Sequence, residues 1–339
     1  MTKMNKPLLA VFAFCASLLT GVAFSAQAQA QQATPSELKQ EFINTQLEKG
    51  FTQPQIDAFL APANISNDVL EAIARPWEAK PWHQYYPIFL TEERVQGGIE
   101  FWKKHQKTLQ QVSEQYGVEP EIIVSIIGVE TYYGRFKGTH KVLDALYSLG
   151  FYYPPRARFF RSELGHLMEL AREQQLDLSE LKGSYAGAMG FGQFIPSSYR
   201  AYAVDFDGDG RIDLVNSEQD AIASVANYFK RHGWVKGQQV IKQVELTPGT
   251  DASALVWDKK PPKYLVADWI SKGVKFAKNQ DMDVSQKAIL VELELEQGAD
   301  YYLGLNNFYA ITRYNHSPLY AMAVYRLSQQ IKAAYHARR

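Results

Sequence analysis

The sequence predicts an α+β protein that is mainly α-helical, with a small β-sheet inserted late in the chain. Up to Trp234 and again after Ser317, apolar residues recur three and four positions apart between Gly and Pro breaks, which is typical of helices. Between these regions, short runs alternate apolar and polar residues, which is typical of strands. The 339 residues, 46% of them hydrophobic, are enough for two or three domains with a large core.

The N-terminal segment has the order of a secretory signal. Lys3 and Lys6 precede an apolar run over residues 8–24, and the alternating Ala and Gln of residues 26–30 offer two suitable cleavage sites. We therefore expect residues 1–30 to be removed on export. A retained membrane anchor is the alternative, because the apolar run is nearly long enough to span a bilayer.

Composition excludes several classes of function. The 36 Lys and Arg residues balance 36 Asp and Glu, so no net field attracts nucleic acid. The only cysteine, Cys15, lies in the N-terminal segment, so the mature chain has no thiol for catalysis, disulfides or metal binding. Phe14 precedes it where a lipoprotein signal has a small residue, so no lipid anchor is expected. The histidines, among them His232 and His316, show no metal-ligand spacing.

Helices are predicted in order along the chain, beginning with SELKQEFINTQLEKG, which has Ser36 as N-cap and Gly50 as its end. Further helices are predicted in QPQIDAFLAPA, SNDVLEAIARP, RVQGGIEFWKKHQKTLQQVSEQYG, EPEIIVSIIGVETYYG, HKVLDALYSLGF, PRARFFRSELGHLMELAREQQL, SEQDAIASVANYFKRHGW and SPLYAMAVYRLSQQIKAAYHARR. Strands are predicted in QQVIKQVEL, AILVELELEQG, DYYLGL and FYAITRYN.

Glu130 stands at the end of the apolar run in the segment SIIGVETYYG. Ile122, Ile126 and Glu130 are four positions apart and share one face of the predicted helix, so the carboxylate continues an apolar stripe. Burial raises the pKa of a carboxyl group, and a carboxyl that keeps its proton near neutral pH can act as a general acid. The alternative is a glutamate at an exposed helix end, which periodicity alone favours.

The stretch GSYAGAMGFGQFIPSSYRAYA, residues 183–203, is rich in glycine and alanine. Such residues let a backbone approach a ligand or another segment closely. Ser184, Tyr185 and Gln193 supply neutral hydrogen-bonding groups, and Ser197 or Ser198 can cap a following helix. A tight packing loop is the alternative.

The segment DFDGDGRIDLVNSEQD begins as an EF-hand-like calcium loop. Asp205, Asp207 and Asp209 take the first three side-chain positions, Gly210 takes the turn position, and Arg211 offers a backbone carbonyl. Hard oxygen ligands at this spacing suit Ca²⁺. A solvated acidic turn is the alternative.

The closing ligand of this loop departs from the EF-hand pattern. Asn216 stands where a bidentate glutamate is usual. Asp220 lies four residues further on and can close a lengthened loop, with Glu218 and Asp213 as competitors.

Five stretches in this order resemble the membrane-bound lytic murein transglycosylase B family in its soluble form: GVETYYG, SYAGAMGFGQFIPSSY, the aspartate loop, AIASVANYF and RYNHSPLYAMAVYRLS. The resemblance covers essentially the whole mature chain. It implies a lysozyme-like helical core, an α domain built from both chain ends, and a small antiparallel β domain. The expected division is a signal peptide at 1–30, an α domain at 31–112 plus 316–339, a catalytic core at 113–233 with the EF-hand-like loop at 205–220, and a β domain at 234–315.

The resemblance implies an enzyme that cleaves the MurNAc-β-1,4-GlcNAc bond of peptidoglycan without water and leaves a 1,6-anhydro-MurNAc end. Glu130 matches the family's single catalytic acid, which would protonate the glycosidic oxygen and then accept the proton of the muramyl C6 hydroxyl. The positions that match the sugar-binding cleft are Ser184, Gln193, Tyr228, Tyr314, Asn315 and Tyr320, with Tyr85 and Arg156 as weaker matches and Met189 at the floor.

The family also implies one structural Ca²⁺, held by Asp205, Asp207, Asp209, Arg211 and Asp220, and no organic cofactor. Its closing ligand also lies beyond the twelfth position, although this loop is one residue longer than the usual family spacing. The expected partners are peptidoglycan glycan strands, with cell-wall synthases as candidate protein partners and no nucleic acid. A periplasmic monomer without a lipid anchor is expected, which departs from the membrane-bound members.

Three other functions are alternatives. A hydrolytic muramidase would need a second carboxylate to activate water, for which Asp144 and Glu163 are candidates. A peptidoglycan-binding scaffold would use the cleft without turnover, although a pure binder gains nothing from a buried carboxyl group. A calcium-dependent adhesion module would leave the GAMGFGQF loop unexplained.

Overall fold

The structure is a computed structural model that describes residues 33–75, 80–276 and 282–337. The expected signal peptide lies outside these residues. Within them, no helix is both long and apolar enough to cross a bilayer. The described residues are mainly helical, with a small antiparallel sheet near the C-terminal end, which confirms the predicted fold class.

Four short helices begin the described chain, and three of them pack against later helices. They are α1 (Pro35–Glu48), α2 (Gln53–Leu60), α3 (Asn67–Ile73) and α4 (Trp82–Phe89). The predicted N-cap of α1 is wrong by two residues. Thr34, not Ser36, caps the helix, because its hydroxyl accepts from the Glu37 N–H at 3.3 Å while the Glu37 carboxylate accepts from the Thr34 N–H at 2.7 Å.

The long helix predicted to end at Gly117 is two helices, α5 (Glu92–Lys104) and α6 (Gln106–Tyr116). The break falls at His105, whose backbone leaves the helical region with φ −109° and ψ 22°. The His105 ring is tilted against that of Phe101, four residues earlier, at 4.5 Å, and its Nε2 lies 3.0 Å from the Glu218 carboxylate. The contact with Glu218 is tertiary, so the helical periodicity of the sequence gives no sign of the break.

Helix α7 (Pro120–Thr131) lies at the centre of the helical body. Every residue from Glu121 to Thr131 is buried. The helix packs against α5 and against the C-terminal helix α14 (Pro318–Ala337), which also contacts α4 and α5. The end of the chain therefore returns to the N-terminal helices and encloses α7.

The remaining helical body surrounds the glycine-rich segment. Its helices are α8 (Val142–Tyr152), α9 (Ala157–Gln174), α10 (Pro196–Tyr202) and α11 (Glu218–Arg231), with a 3-10 turn at Pro154–Arg156. A two-stranded ribbon, β1 (His140–Lys141) with β2 (Lys182–Gly183), ties the start of α8 to the glycine-rich segment.

A five-stranded antiparallel sheet follows, with strand order β4-β6-β7-β3-β5. Its elements are β3 (Ile241–Leu246), β4 (Tyr264–Leu265), α12 (Val266–Ser271), β5 (Val274–Lys275), β6 (Lys287–Glu294) and β7 (Ala299–Gly304). Along β6, Ile289 and Val291 join the main core, whereas Ala288 and Leu290 pack with α12 in a second core. Successive residues of β6 point to opposite faces of the sheet, so both faces of this strand are buried.

The strand predicted in FYAITRYN is wrong, because this segment is helix α13 (Asn306–Tyr314). Its β-branched and aromatic residues favour a strand locally. However, its buried Phe308, Ile311 and Thr312 are spaced three and four apart, which fits one face of a helix. The other three predicted strand segments contain β3, β6 and β7, so these predictions are confirmed.

Candidate active site

Glu130 is buried at the C-terminal end of α7, with 2% of its surface exposed. The Tyr320 hydroxyl, from α14, donates to its Oε1 at 2.5 Å. Burial raises the pKa of Glu130 well above its ordinary value, and the bond from Tyr320 opposes this rise by stabilising the carboxylate. Glu130 is therefore not at an exposed helix end, which periodicity alone favoured, because α14 covers this turn of α7.

The chain immediately after Glu130 turns sharply and is held by side chains. Tyr132 and Tyr133 both adopt left-handed backbone conformations, with φ of 52° and 60°. The Thr131 hydroxyl donates to the Phe191 carbonyl at 2.9 Å and accepts from the Gly134 N–H at 3.0 Å. The end of α7 is therefore tied to the glycine-rich segment, which limits how far the Glu130 carboxyl can move.

Tyr133 fills a slot between two helices that only glycine leaves open. A Cβ on Gly128 would lie 2.6 Å from the Tyr133 hydroxyl, and one on Gly97 would lie 2.9 Å from its ring. The hydroxyl donates to the Arg94 carbonyl at 2.7 Å. This contact fixes α5 against α7 directly behind the catalytic glutamate candidate.

Arg94 is a buried cation in this layer, with 6% of its surface exposed. Its guanidinium lies 5.2 Å from the Phe89 ring centroid and 4.8 Å from that of Tyr132, and Nη1 donates to the Ile88 carbonyl at 3.0 Å. Burial lowers its pKa. Nothing in the spacing of the sequence identified Arg94, because its importance depends on the contact between α5 and the turn after α7.

The glycines of residues 183–203 serve packing within the protein. A Cβ on Gly190 would lie 2.2 Å from the Leu214 carbonyl oxygen, and one on Gly183 would lie 2.2 Å from that of Ala188. A Cβ on Gly192 would lie 2.8 Å from the Tyr314 hydroxyl oxygen. The packing alternative therefore describes these positions, and the segment lies beside the site because its backbone fits so closely.

A cleft of about 330 Å³ opens beside this segment. Tyr314 lines it, and its hydroxyl donates to the Gly192 carbonyl at 2.5 Å. Tyr228 also lines it, with its hydroxyl donating to the Arg313 carbonyl at 2.5 Å. Burial raises the pKa of both tyrosines, and the negative charge of nearby Glu130 raises that of Tyr314 further. Tyr314 thus connects the cleft to the buried glutamate.

Three predicted site residues of the glycine-rich segment differ in their surroundings. Gln193 lines the cleft, and its side-chain nitrogen donates to the carbonyls of Lys137 and Gly190 at 3.1 and 3.0 Å. Ser184 is half-buried, and its hydroxyl oxygen accepts from two N–H groups of its own turn. Met189 has no exposed surface and pairs through its backbone with Phe194, so it lies beneath the segment rather than at the cleft surface.

The other predicted residues lie around the same region. The Tyr85 ring is tilted against that of Phe89 at 5.1 Å. Burial is the main cause of the raised pKa of Tyr320, followed by Glu130 and Tyr314, and Tyr85 adds a smaller contribution. The Arg156 guanidinium lies 4.3 Å from the ring centroid of Phe159, which lines the cleft. Asn315 is half-buried and follows Tyr314 directly.

Part of the cleft lining was not predicted from the sequence. It includes the aromatic residues Phe159, Phe160, Phe194 and Tyr202 and the potentially basic residues His232, Arg313 and His316. His232 stacks on Tyr228 at 4.0 Å, and its Nδ1 lies 2.7 Å from the Tyr228 carbonyl. The histidines carry no spacing signal, since these residues come from separate helices and loops.

Asp205, Asp207 and Asp209 bring carboxylate oxygens within 4.8 Å of one another. Gly208 and Gly210 have φ of 77° and 87°, so both use the left-handed conformation that glycine adopts freely. The clustered carboxylates are hard oxygen donors, and this set fits Ca²⁺.

The three candidates for closing the loop are all engaged in hydrogen bonds or ion pairs. Asp220 is 1% exposed, and its carboxylate accepts from the N–H groups of Phe206 and Asp213 at 2.8 and 2.9 Å. Glu218 points to Lys104 at 2.6 Å, and Asp213 accepts from the Asn216 N–H at 2.8 Å. Asp220 is therefore the candidate whose side chain holds two parts of the loop together.

The two carboxylates considered for water activation have structural partners. The Asp144 carboxylate accepts from the Asn64 N–H at 2.8 Å, and the Glu163 carboxylate accepts from the Ser197 N–H at 2.9 Å. Glu163 thus caps α10, where Ser197 or Ser198 was the expected cap. Among the described residues that line the cleft, none is an aspartate or a glutamate.

Comparison with known proteins gives consistent matches over most of the chain. The model of the transglycosylase SLT domain family matches residues 34–329. The membrane-bound lytic murein transglycosylase B of Escherichia coli strain K12 is 44% identical over 307 residues, which cover 87% of this chain and 82% of the relative.

Solved structures give the same result. Soluble lytic transglycosylase SltB1 from Pseudomonas aeruginosa has a TM-score of 0.81 and 45% identity, covering 88% of this chain and 98% of that one. Escherichia coli Slt35, solved in complex with bulgecin A and with calcium, has a TM-score of 0.78 and 44% identity, covering 88% of this chain and 93% of that one. The chain therefore belongs to the transglycosylase SLT domain family and is a lytic murein transglycosylase, a lyase that cleaves peptidoglycan.

Proposed function

We propose that Glu130 performs both proton transfers of the reaction. Protonated Glu130 gives its proton to the glycosidic oxygen, the bond from that oxygen to the muramyl C1 breaks, and the sugar's own acetamido oxygen stabilises C1. The C6 hydroxyl oxygen then bonds to C1 and releases the acetamido group, while its proton passes to the Glu130 carboxylate. No water is consumed, and the carboxyl group regains its starting form.

The observation that carries this proposal is the buried carboxyl with one hydrogen bond donor. Burial on α7 raises the pKa of Glu130 and so favours its protonated form, as a general acid requires. The Tyr320 hydroxyl supports the carboxylate that exists between the two transfers. The hydrolytic alternative gains no support, because Asp144 and Glu163 are engaged in capping and loop contacts.

The aromatic and polar lining of the cleft supports binding of the N-acetyl sugars there. We assign this role to the predicted residues Ser184, Gln193, Tyr228, Tyr314, Asn315 and Tyr320, with Tyr85 and Arg156 at its edges. Tyr228 and Tyr314 offer aromatic faces to sugar rings, and Gln193 contributes a polar group to the lining. Met189 would act from beneath by supporting the segment.

A single Ca²⁺ would be held by Asp205, Asp207 and Asp209, the Arg211 carbonyl and Asp220. When bound, it would supply a structural cross-link and no catalytic chemistry. The clustered carboxylates support this assignment, as does the calcium complex of Slt35. Because Asp220 accepts from the backbone N–H groups of Phe206, near the start of the loop, and of Asp213, in its middle, we infer that it links the ion to α11.

We propose that the protein acts as a monomer on glycan strands in the periplasm, after removal of residues 1–30. The signal-like order of that segment supports export, and the absence of a suitably placed cysteine argues against a lipid anchor. We also retain the division into an α domain at 31–112 plus 316–339, a core at 113–233 and a β domain at 234–315. The packing of α14 on α4 and α5 supports the joining of the two chain ends.

The test is mass spectrometry of muropeptides released from purified sacculi, with and without borohydride reduction. Anhydro ends resist reduction and lack one water, and we expect them from the wild-type protein. Glu130→Gln should release almost none while remaining folded. A Glu130→Gln protein that released anhydro products at the wild-type rate would refute the proposed role of this residue.

A further inference from the structure

The cleft has a cationic outer end. Arg313 lines it, with Nη1 donating to the Tyr309 hydroxyl at 3.0 Å and Nη2 lying 2.8 Å from the ring nitrogens of His316. Burial, followed by the charges of Arg313 and Lys259, lowers the pKa of His316. Lys259 belongs to the β-sheet region and follows Trp257 by two residues, and the Trp257 ring contacts Tyr309 beside Arg313.

Lys259 is part of a loop that we call the lysine loop, residues 257–264, with the sequence WDKKPPKY. Its Lys259, Lys260 and Lys263 are exposed. Lys259 has a φ of 70°, which is uncommon for a residue with a side chain. Asp258 pairs with Lys260, so the remaining positive charge of the loop comes from Lys259 and Lys263.

The lysine loop also forms a separate pocket of about 170 Å³. Trp257, Tyr264 and Trp269 line it together with Lys260 and Lys263. The ammonium groups of Lys263 and of Lys272, from the end of α12, lie 4.6 and 4.9 Å from the Tyr264 ring centroid. Aromatic faces beside exposed ammonium groups suit a ligand that presents both apolar ring faces and carboxylates.

The pocket and the cleft are linked through the start of the sheet region. The Trp257 ring packs edge-on against Tyr309 at 6.3 Å, and the Tyr309 hydroxyl accepts the hydrogen bond from Arg313. Arg313 and the lysine loop are thus joined through Tyr309 and Trp257. The chain as a whole has no net charge, so the lysines of this loop are a local concentration of positive charge beside Asp258.

We propose that the lysine loop is a second binding surface for peptidoglycan, which holds the stem-peptide carboxylates of a strand whose sugars occupy the cleft. The ligand is an anionic peptide attached to a glycan, and the complementary charges are those of Lys259 and Lys263 with Arg313 at the junction. The proposal rests on the peptidoglycan activity of the protein but not on the role of Glu130.

The experiment measures binding of the mature chain to purified sacculi by co-sedimentation, in a Glu130→Gln background so that no turnover occurs. Lys259→Gln/Lys263→Gln should raise the Kd by about three- to tenfold at low salt, since exposed ion pairs contribute little each. The effect should shrink as ionic strength rises. Lys107→Gln, at an exposed position on α6, is the control and should leave the Kd unchanged.

Sacculi whose stem carboxylates have been converted to amides give the second arm. On this material, the double variant and its parent should bind equally well. An unchanged Kd on native sacculi would overturn the proposal, as would an equal loss on the amidated material. Loss of binding to phosphatidylglycerol vesicles without loss on sacculi would also overturn it, because the loop would then serve a membrane surface. Equal melting temperatures of the variants exclude misfolding, and failure of the Glu130 mechanism would not affect any of these readouts.

Discussion

The hydrogen bond from Tyr320 to Glu130 is the contact whose removal tests the proposed chemistry most directly. Tyr320→Phe removes one hydroxyl from a fully enclosed position and leaves the ring, so the packing of α14 on α7 stays as it is. The bond lowers the pKa of Glu130 against the larger effect of burial. Its loss must therefore raise this pKa further, and the acid form must persist to higher pH.

The size of the shift follows from the two forms of the carboxyl group. The Tyr320 hydroxyl can donate to either form of the carboxyl group, but it stabilises the charged form more. Bonds to charged groups contribute about 1.5–3 kcal/mol and neutral ones about 1 kcal/mol, so the carboxylate loses about 1–2 kcal/mol more than the acid. With 1.36 kcal/mol per pKa unit, the pKa of Glu130 should rise by about one unit.

The assay is the pH dependence of kcat and kcat/KM for release of anhydro-muropeptides. The alkaline limb should move up by about one pH unit in Tyr320→Phe. The plateau should fall roughly threefold, because a weaker acid transfers its proton less readily. Tyr325→Phe, on the same helix, is the matched control and should move neither quantity. An alkaline limb that stays in place or moves to lower pH would refute the reasoning, since it would mean that Tyr320 does not act on the carboxylate.

Three further predictions test the remaining parts of the structure. Glu130→Gln should lower the rate by about 10²–10⁴-fold, and its melting temperature should exceed that of the wild type increasingly as pH rises above the ordinary glutamate pKa. The reason is that burial raises the pKa of Glu130 in the folded state. As pH rises above the ordinary glutamate pKa, the carboxyl ionises in the unfolded chain first, and the wild-type protein therefore loses stability. A melting difference that is the same at every pH would contradict this. Chelation with EGTA should lower the melting temperature, because a metal bound only by the folded loop stabilises it; Asp209→Asn should abolish that response, while Asp283→Asn, a carboxylate remote from the loop in sequence, should keep it. Gly128→Ala should lower the free energy of unfolding by about 1–3 kcal/mol in denaturant titrations, since its Cβ would lie 2.6 Å from the Tyr133 hydroxyl; an unchanged midpoint would show that Tyr133 can move.

The elements with a strong local pattern were predictable. The helices around Glu130 and the strands that became β3, β6 and β7 follow the periodicity of their apolar residues. Helix α13 was not predictable in this way, because Phe308 and Ile311 favour a strand locally and pack as a helix face only against α14 and the sheet. Tertiary packing overrode propensity there, as it did at the break beside His105.

The sequence identified the charged residues of the site better than their surroundings. Glu130 and the aspartates of the loop were candidates because of the motifs in which they stand, although the periodicity of α7 alone favoured an exposed helix end for Glu130. Arg94 could not, since its role depends on Tyr132 and Tyr133 reaching it across two helices. The glycines of residues 183–203 are a similar case. Their abundance predicts that the backbone is approached closely, but it does not predict which atoms of the protein or of a ligand approach it.

The pKa of Glu130 depends on residues from separate segments of the chain. A carboxyl group that must hold a proton at rest and carry a charge during the reaction needs burial together with a donor for its ionised form. Helix α7 supplies the burial through its own isoleucines, whereas the donor comes from Tyr320, on the helix that ends the described chain. Since α14 also packs on α4 and α5, the last helix both encloses the acid and limits its pKa. The segment between Pro120 and Arg231 therefore contains the proposed catalytic carboxyl and much of its burial, whereas the hydrogen bond that lowers its pKa comes from α14.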